Sequence, residues 1–173
     1  VLFRSPQKSC ESQEDDKIPS VVYSMEQNEL EDVLLSSVVE GCLRVNRVDL
    51  LMPWLTKQRE CLGKLERAHT FGSIIRAFGL AKDIEGAWDP WRTMRSRQLM
   101  PTNVVTGCMA EALVANARTE PAFDLIHELQ DEGLGTTAVN AACYGTLLKG
   151  FSRANKIISM RMVYQEMLDR ETE

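Results

Sequence analysis

The 173-residue sequence lacks the motifs that most often mark an enzyme. It has no phosphate-binding loop of the Walker type, no HExxH or GxSxG motif and no aspartate-rich metal cluster. It has only two histidines, and its five cysteines form no CxxC pair and have no histidine at metal-ligand spacing. These absences predict a chain that is not an enzyme and that uses no cofactor or metal.

Long apolar runs are also absent. Membrane-spanning helices need about 18 to 20 apolar residues in succession, and here Arg, Asp, Glu or Gly interrupts every run much earlier. No segment alternates apolar and polar residues for long enough to indicate a sheet. With 44% apolar residues, the chain is still able to form a packed domain or a short repeat array. We therefore predict a helical protein without a membrane span.

The cysteines indicate a reducing compartment. Their number is odd, they are widely spaced, and Cys42, Cys108 and Cys143 lie among apolar residues. Such cysteines are typical of reduced thiols in a core or an interface.

The charge is unevenly distributed. The net charge of −5 argues against a nucleic-acid ligand, because contacts to phosphate supply much of the affinity for nucleic acids. Residues 41–102, however, contain eleven basic and six acidic side chains, whereas the flanking segments are acidic. The middle of the chain therefore remains a candidate for binding phosphate.

The first 27 residues differ from the rest. They are polar, contain two prolines and carry the acidic run Glu14-Asp15-Asp16, so residues 1–27 are predicted to be a flexible lead-in. The sequence begins with Val1 rather than methionine, and at Glu173 the helical pattern still continues. This pattern is typical of a piece of a longer protein.

Residues 28–173 repeat themselves with a period of about 35 residues. Four units align, and their starts are 36, 35 and 38 residues apart: 32–67, 68–102, 103–140 and 141–173, the last of them truncated. The extra residues of the third unit fall at 133–137, which we predict to be a loop where insertion costs little.

Each unit shows the apolar spacing of two helices joined by a short polar turn. The first helix is marked by an apolar pair and a third apolar residue in each unit: Val38-Val39 and Cys42, Ile74-Ile75 and Phe78, Met109-Ala110 and Leu113, Leu147-Leu148 and Phe151. A small residue recurs where helix backbones are predicted to approach closely: Gly41, Ala77, Ala112 and Gly150. The turns are predicted at Asn46-Arg47, Lys82-Asp83, Arg118-Thr119 and Asn155-Lys156.

The second helix carries its own apolar columns, which are Leu51, Ala87, Ala122 and Met160, then Leu55, Trp91, Ile126 and Tyr164, and finally Met94, Leu129 and Met167. One hairpin cannot cover both of its apolar faces, whereas stacked hairpins can. The predicted fold is therefore all-α, a right-handed α-solenoid of about four helix-turn-helix repeats of 35 to 38 residues, whose first helices line a concave surface. An ordinary helical bundle is the alternative.

Several stretches resemble the pentatricopeptide repeat. They are His69 to Phe78, Met100 to Thr106, Cys143 to Phe151 and Tyr164 to Leu168. The resemblance covers about 140 residues, and it implies a protein that binds single-stranded RNA in a mitochondrion or a chloroplast, often at one nucleotide per repeat.

The resemblance also implies which residues would contact RNA. The fifth residue of each first helix and the last residue of each unit would read a base, and the second residue would sandwich it. The fifth residues are Ser36, Gly72, Gly107 and Gly145, the last residues are Arg67, Thr102 and Asn140, and the second residues are Val33, His69, Val104 and Ala142. Glycine cannot form side-chain hydrogen bonds, so three of the four fifth positions depart from the family pattern. We therefore expect binding through the RNA backbone, by charge and shape, with weak sequence preference.

Basic residues on the first helices and turns could contact phosphate: Arg44, Arg47, Arg76, Lys149, Arg153 and Lys156. Glu40 and Glu111 occupy the column of Arg76 and Lys149, so a solvated helix face is the alternative. The predicted RNA-binding residues are Ser36, Arg44, Arg67, His69, Arg76, Thr102, Asn140, Lys149 and Arg153.

The remaining histidine, prolines and tryptophans receive structural interpretations. His127 is predicted to be a surface residue, and the tryptophans to pack between units. Pro90 predicts either a second helix that starts late, with Asp89 as its cap, or a kinked helix.

The predicted function is a non-catalytic, single-stranded RNA-binding module of an organellar factor for RNA processing, stability or translation. The alternative is a helical-repeat scaffold with a protein partner, which the acidic net charge, the glycines and the eight methionines favour.

Overall fold

The computed structural model describes residues 32–57, 65 and 68–171, and all regular secondary structure in these residues is helical. The helices are α1 (Asp32–Arg44), α2 (Val48–Lys57), α3 (Ala68–Leu80), α4 (Ile84–Ser96), α5 (Asn103–Ala115), α6 (Thr119–Asp131), α7 (Gly135–Ala138), α8 (Ala141–Arg153) and α9 (Ile157–Glu171). The prediction of an all-α fold is confirmed. None of the described helices is long and apolar enough to cross a membrane. The predicted lead-in, residues 1–27, lies outside the described residues.

The helices form four hairpins, which we call units 1 to 4: α1–α2, α3–α4, α5–α6 and α8–α9. Each first helix has 13 residues, and the four begin at Asp32, Ala68, Asn103 and Ala141, where the sequence units start. First helices of successive units pack side by side, and α2, α4 and α6 each also pack against the first helix of the following unit. This arrangement is an α-solenoid of helical hairpins.

The turns repeat with the same period as the helices. Asn46, Lys82, Ala117 and Asn155 each have a positive φ between 54° and 62°. The residue after each of them donates its backbone N–H to a carbonyl five residues earlier, for example Asp83 to Phe78 at 3.0 Å. This Schellman geometry satisfies carbonyls at the end of each first helix. The third turn was predicted one residue too late, because Ala117 holds the left-handed position and Thr119 already begins α6.

The predicted apolar columns form the core. In units 2 and 3 the first-helix columns are almost fully buried, as are the second-helix residues Ala87, Trp91, Met94, Ala122, Ile126 and Leu129. Unit 4 is less covered, since Leu148, Met160 and Met167 are half-buried and Tyr164 is 50% exposed. The difference arises because no described helix packs on the outer side of unit 4.

Close packing is observed at two of the small residues where it was predicted, Ala112 and Gly150. A Cβ added at Gly79 would lie 2.4 Å from Ala112 Cβ, and one added at Gly150 would lie 2.7 Å from Thr119 Cγ2. At Gly41, in the same column as Ala112 and Gly150, no described atom lies within 4 Å of an added Cβ. The close approach at Gly41 stays a prediction, because no helix that precedes α1 lies among the described residues.

The insertion in the third unit is not a simple loop. Residues Gly135–Ala138 form the single turn α7, in which Gly135 and Ala138 are buried, and Val139 after it is buried as well. The insertion therefore adds apolar packing against α5 and α6 instead of extending into solvent.

The second helix of unit 2 starts early and contains its proline. Asp83 caps α4 by accepting a hydrogen bond from the Gly86 N–H at 2.8 Å, and Pro90 lies inside the helix. The prediction of a late start with Asp89 as the cap is therefore wrong. Trp91 is buried as predicted, whereas Trp88 is only half-buried.

A polar cluster joins units 3 and 4. Glu166 accepts hydrogen bonds from Gln130 at 2.9 Å and from the Tyr144 hydroxyl at 3.0 Å, and Arg170 donates to the same hydroxyl at 3.0 Å. Burial raises the pKa of Tyr144. His127 Nε2 lies 3.1 Å from Glu166 Oε2, and its ring packs 4.2 Å from that of Phe123. His127 therefore takes part in the contact between units, and with a side chain that is 41% exposed it is also the surface residue that was predicted.

Candidate nucleic-acid interface

Two adjoining clefts run along the row of first helices. Cleft A, of about 650 Å³, is lined by α1, α3 and α5, and cleft B, of about 260 Å³, by α3, α5 and α8. Arg76 lines both clefts, so together they form one surface that crosses all four units. We call this surface the groove. Every side chain that lines it comes from a first helix, which agrees with the predicted concave lining.

Five of the nine predicted site residues line the groove. They are Arg44 and His69 in cleft A, Arg76 in both clefts, and Lys149 and Arg153 in cleft B. Each of the five side chains is exposed. Residues from three different units are thereby brought to one surface.

Arg76 is partly neutralised by an acidic neighbour. Its guanidinium lies 3.6 Å from the Glu40 carboxylate, which also accepts a hydrogen bond from the Ser73 hydroxyl at 3.2 Å. This ion pair joins α1 to α3. Because Arg76 is about half exposed, the pair is worth little in stability and is open to exchange with another anion.

The other cations of the groove are available. Within the described part of the chain, Arg44, Lys149 and Arg153 have no acidic group within 4.0 Å. Glu111 also lines cleft B and lowers its positive charge, although it forms no such pair there with a described residue. Cleft B therefore combines three cations with one carboxylate, which gives it an excess of positive charge.

Of the three glycines at predicted base-reading positions, Gly72 lines cleft A, whereas Gly107 and Gly145 line neither cleft. A Cβ added at Gly72 would contact Val105 and Cys108 at 3.4 and 3.6 Å, whereas at Gly107 and Gly145 no described atom lies within 4 Å. Packing therefore does not require glycine at 107 or 145. These positions offer a ligand close access to the helix but no side-chain hydrogen bond.

The remaining predicted site residues have other positions. Thr102 and Asn140 are exposed N-caps, whose side-chain oxygens accept hydrogen bonds from the backbone N–H groups of Val105 and Cys143 at 3.4 and 3.2 Å. Neither residue lines cleft A or cleft B. Ser36 lies in α1, but its side chain, like all of Arg67, is outside the described residues. The roles of these four residues in RNA binding stay predictions.

The thiols are in the form that their apolar surroundings predicted. Cys42, Cys108 and Cys143 are free, and burial raises the pKa of each. Cys108 lines cleft A, and burial, opposed in part by the charge of Arg76, raises its pKa to about 11. The groove therefore contains a neutral thiol, which has little nucleophilic character.

The groove also has exposed apolar side chains. Leu80 lines cleft B and Val104 lines cleft A, and each is more than half exposed. Leu80 occupies the column of Arg44 and Arg153, so the repeat alignment already showed an apolar residue at a surface position. Val104 was identified only through the family pattern, as a base-sandwiching residue.

The described residues contain no cluster of three or more histidine, cysteine, aspartate or glutamate side chains that could hold a metal. The fold and the groove define a helical-repeat protein with a partly basic surface. The family model of pentatricopeptide repeat-containing proteins matches residues 34–167, and the chain belongs to this family. Its members are generally non-catalytic and generally bind RNA. No curated protein matches the sequence.

Proposed function

We propose that the groove binds single-stranded RNA, without catalysis, mainly through the sugar-phosphate backbone. The observation that carries this proposal is that Arg44, Arg76, Lys149 and Arg153, from three separate units, line one continuous groove. Phosphate contacts of this kind provide affinity without reading the sequence. By family, the protein is proposed to be an organellar factor for RNA processing, stability or translation.

The predicted base-reading positions support weak sequence preference. Gly72, Gly107 and Gly145 supply no hydrogen-bonding side chain at these positions, while His69 and Val104, which line cleft A, are exposed and could contact the faces of bases. Stacking on bases is tolerant of sequence because every base has a flat face. We therefore expect similar affinities for RNAs of different sequence.

A protein partner is the competing function. Glu40 and Glu111 oppose phosphate in the groove, and the exposed Leu80 and Val104 could pack against an apolar peptide. A protein ligand would be sensitive to apolar substitutions and less sensitive to salt, because little of its affinity would come from counterion release.

The test is a fluorescence-anisotropy titration of the full chain with random-sequence single-stranded RNA at low and near-physiological salt. We expect affinity that decreases steeply with salt. The double variant Arg44→Ala/Arg153→Ala should bind more weakly, and the slope of log affinity against log salt should fall by about 0.7 for each phosphate that the variant no longer neutralises.

The matched control is Arg92→Ala/Arg161→Ala. It removes the same charge, but both arginines are exposed on second helices and line neither cleft. An equal decrease of affinity in the two double variants would show that net charge alone attracts RNA. No binding of the folded wild-type chain at low salt would refute the proposal and favour a protein ligand.

A further inference from the structure

The cations that line the groove without an acidic neighbour lie in two of its four units. Arg44 belongs to unit 1, whereas Lys149 and Arg153 belong to unit 4. Among the described residues, no acidic group lies within 4.0 Å of any of the three. The positive charge that is free to bind a ligand is therefore divided between two patches, which we call patch 1 (Arg44) and patch 4 (Lys149 and Arg153).

The surface between the two patches offers phosphate little attraction. In the column that contains the arginines of both patches, unit 2 has Leu80 and unit 3 has Ala115, and both are exposed. Arg76 of unit 2 lies 3.6 Å from the Glu40 carboxylate, so this pair has no net charge. Glu111 of unit 3 adds a negative charge to cleft B. A phosphate group over units 2 and 3 would therefore meet apolar side chains, a neutralised pair and a carboxylate.

The distance between the patches corresponds to a short RNA. The first helices α1, α3, α5 and α8 pack in this order, so three helix-to-helix steps separate patch 1 from patch 4. Packed helices lie about 8 to 10 Å apart, which places the patches about 24 to 30 Å apart along the groove. A stacked strand advances about 3.4 Å per nucleotide, so about eight nucleotides would span this distance, and an extended strand would need fewer.

We infer that one RNA strand bridges patch 1 and patch 4, so that the groove selects RNAs long enough to reach both. An RNA held at one patch meets the other in an intramolecular step, which adds affinity without a second loss of translational freedom. An RNA too short to bridge can occupy only one patch at a time. This inference rests on the proposed binding of RNA and adds the length of the ligand to it.

The length dependence is measured by fluorescence anisotropy at low salt, with the full chain and uridine oligomers of increasing length. We expect the affinity to rise by about tenfold over the short range of lengths at which the RNA first reaches both patches, because an added phosphate contact releases about 0.7 counterion. Below and above that range, each added nucleotide should change the affinity only slightly.

The two patches should respond differently to substitution. Arg44→Ala should leave the affinity for short RNAs unchanged, because these bind patch 4, and should abolish the step in affinity. Lys149→Ala/Arg153→Ala should weaken binding at every length. Arg92→Ala is the matched control, since it removes an exposed arginine that lines neither cleft, and it should keep the step.

A cation placed between the patches should relax the selection for length. Leu80→Arg adds one at an exposed position of cleft B, so short RNAs should bind about tenfold more tightly at low salt and the step should move to shorter lengths. Met100→Arg is the control, because it adds the same charge at an exposed residue that lines neither cleft. Far-UV circular dichroism would verify that every variant folds.

Three results would overturn the inference while leaving RNA binding intact. One is an affinity that rises smoothly with length in the wild type. Another is an Arg44→Ala variant that loses affinity for short and long RNAs by the same factor, and the last is a Leu80→Arg variant that binds short RNAs no better than Met100→Arg. No binding by the folded wild-type chain at any length would instead refute the proposed function, and this inference with it.

Discussion

Substituting alanine at two glycines of neighbouring first helices should change stability in opposite directions. Gly79 in α3 and Gly107 in α5 are both helical, and neither has a positive φ. Alanine is favoured over glycine in a helix interior by about 0.8 to 1 kcal/mol. Helix propensity alone would therefore stabilise both variants equally.

Packing separates the two. At Gly107 no described atom lies within 4 Å of an added Cβ, so Gly107→Ala should gain about 0.5 to 1 kcal/mol. At Gly79 the new methyl would lie 2.4 Å from Ala112 Cβ and 2.9 Å from Ala112 Cα, so backbone must move. Overpacking of this kind costs about 1 to 3 kcal/mol, which exceeds the gain in propensity in most of that range.

Urea unfolding followed by far-UV circular dichroism measures the difference between the variants. Their free energies of unfolding should differ by about 2 kcal/mol, and with a typical slope for a small protein their midpoints should differ by about 1 M urea. Gly145→Ala, which also has open space around its added Cβ, should behave like Gly107→Ala. A Gly79→Ala variant as stable as Gly107→Ala would refute the close packing of α3 on α5.

Three further outcomes follow from single side chains. The buried Thr106 hydroxyl has no hydrogen-bond partner among the described residues, so Thr106→Val should raise the free energy of unfolding by about 1 kcal/mol in the same urea assay. The control is Thr93→Val, which should not raise it, because the Thr93 hydroxyl donates a hydrogen bond to the Asp89 carbonyl. Asn116→Ala should lower the free energy of unfolding by about 1 to 2 kcal/mol, because Asn116 donates a hydrogen bond at 2.8 Å to the Gly79 carbonyl of the preceding unit. An unchanged midpoint of urea unfolding would contradict this prediction. Burial raises the pKa of Cys108 to about 11, and the thiolate is the nucleophile, so alkylation of Cys108 should be slow at pH 8 and faster as the pH approaches 11. Mass mapping of the alkylated protein over time would measure this rate. Alkylation as fast as in the unfolded chain would contradict the prediction.

Much of the solenoid could be predicted because it depends on contacts that are near in sequence. The apolar columns recur at helical spacing within each unit, and the units recur about every 35 residues, so the starts of α1, α3, α5 and α8 appear directly in the sequence. One of the errors was local too. Alignment by residue type misplaced the third turn, because Ala117 is an unusual residue at a left-handed position.

The candidate site could be predicted only in part. Repeat columns place Arg44, Lys149 and Arg153 on one helix face, since side chains at equivalent positions of stacked units point the same way. They do not show that Arg76 is paired with Glu40, because that depends on the distance between two side chains 36 residues apart. Repeat columns also do not show that the side-chain oxygens of Thr102 and Asn140 accept hydrogen bonds as helix N-caps.

The sequence by itself determined the class of fold, the repeat length and the helix face that carries the cations, because these follow from periodicity and local geometry. Tertiary structure alone decided which equivalent positions are covered. Gly41 and Gly150 share one column, yet among the described residues only Gly150 lies against a preceding unit, and Ile157 is exposed where Thr119 is buried. The physical reason is that a side chain is buried only when a second surface packs against it. The position of a residue within its repeat does not specify that second surface.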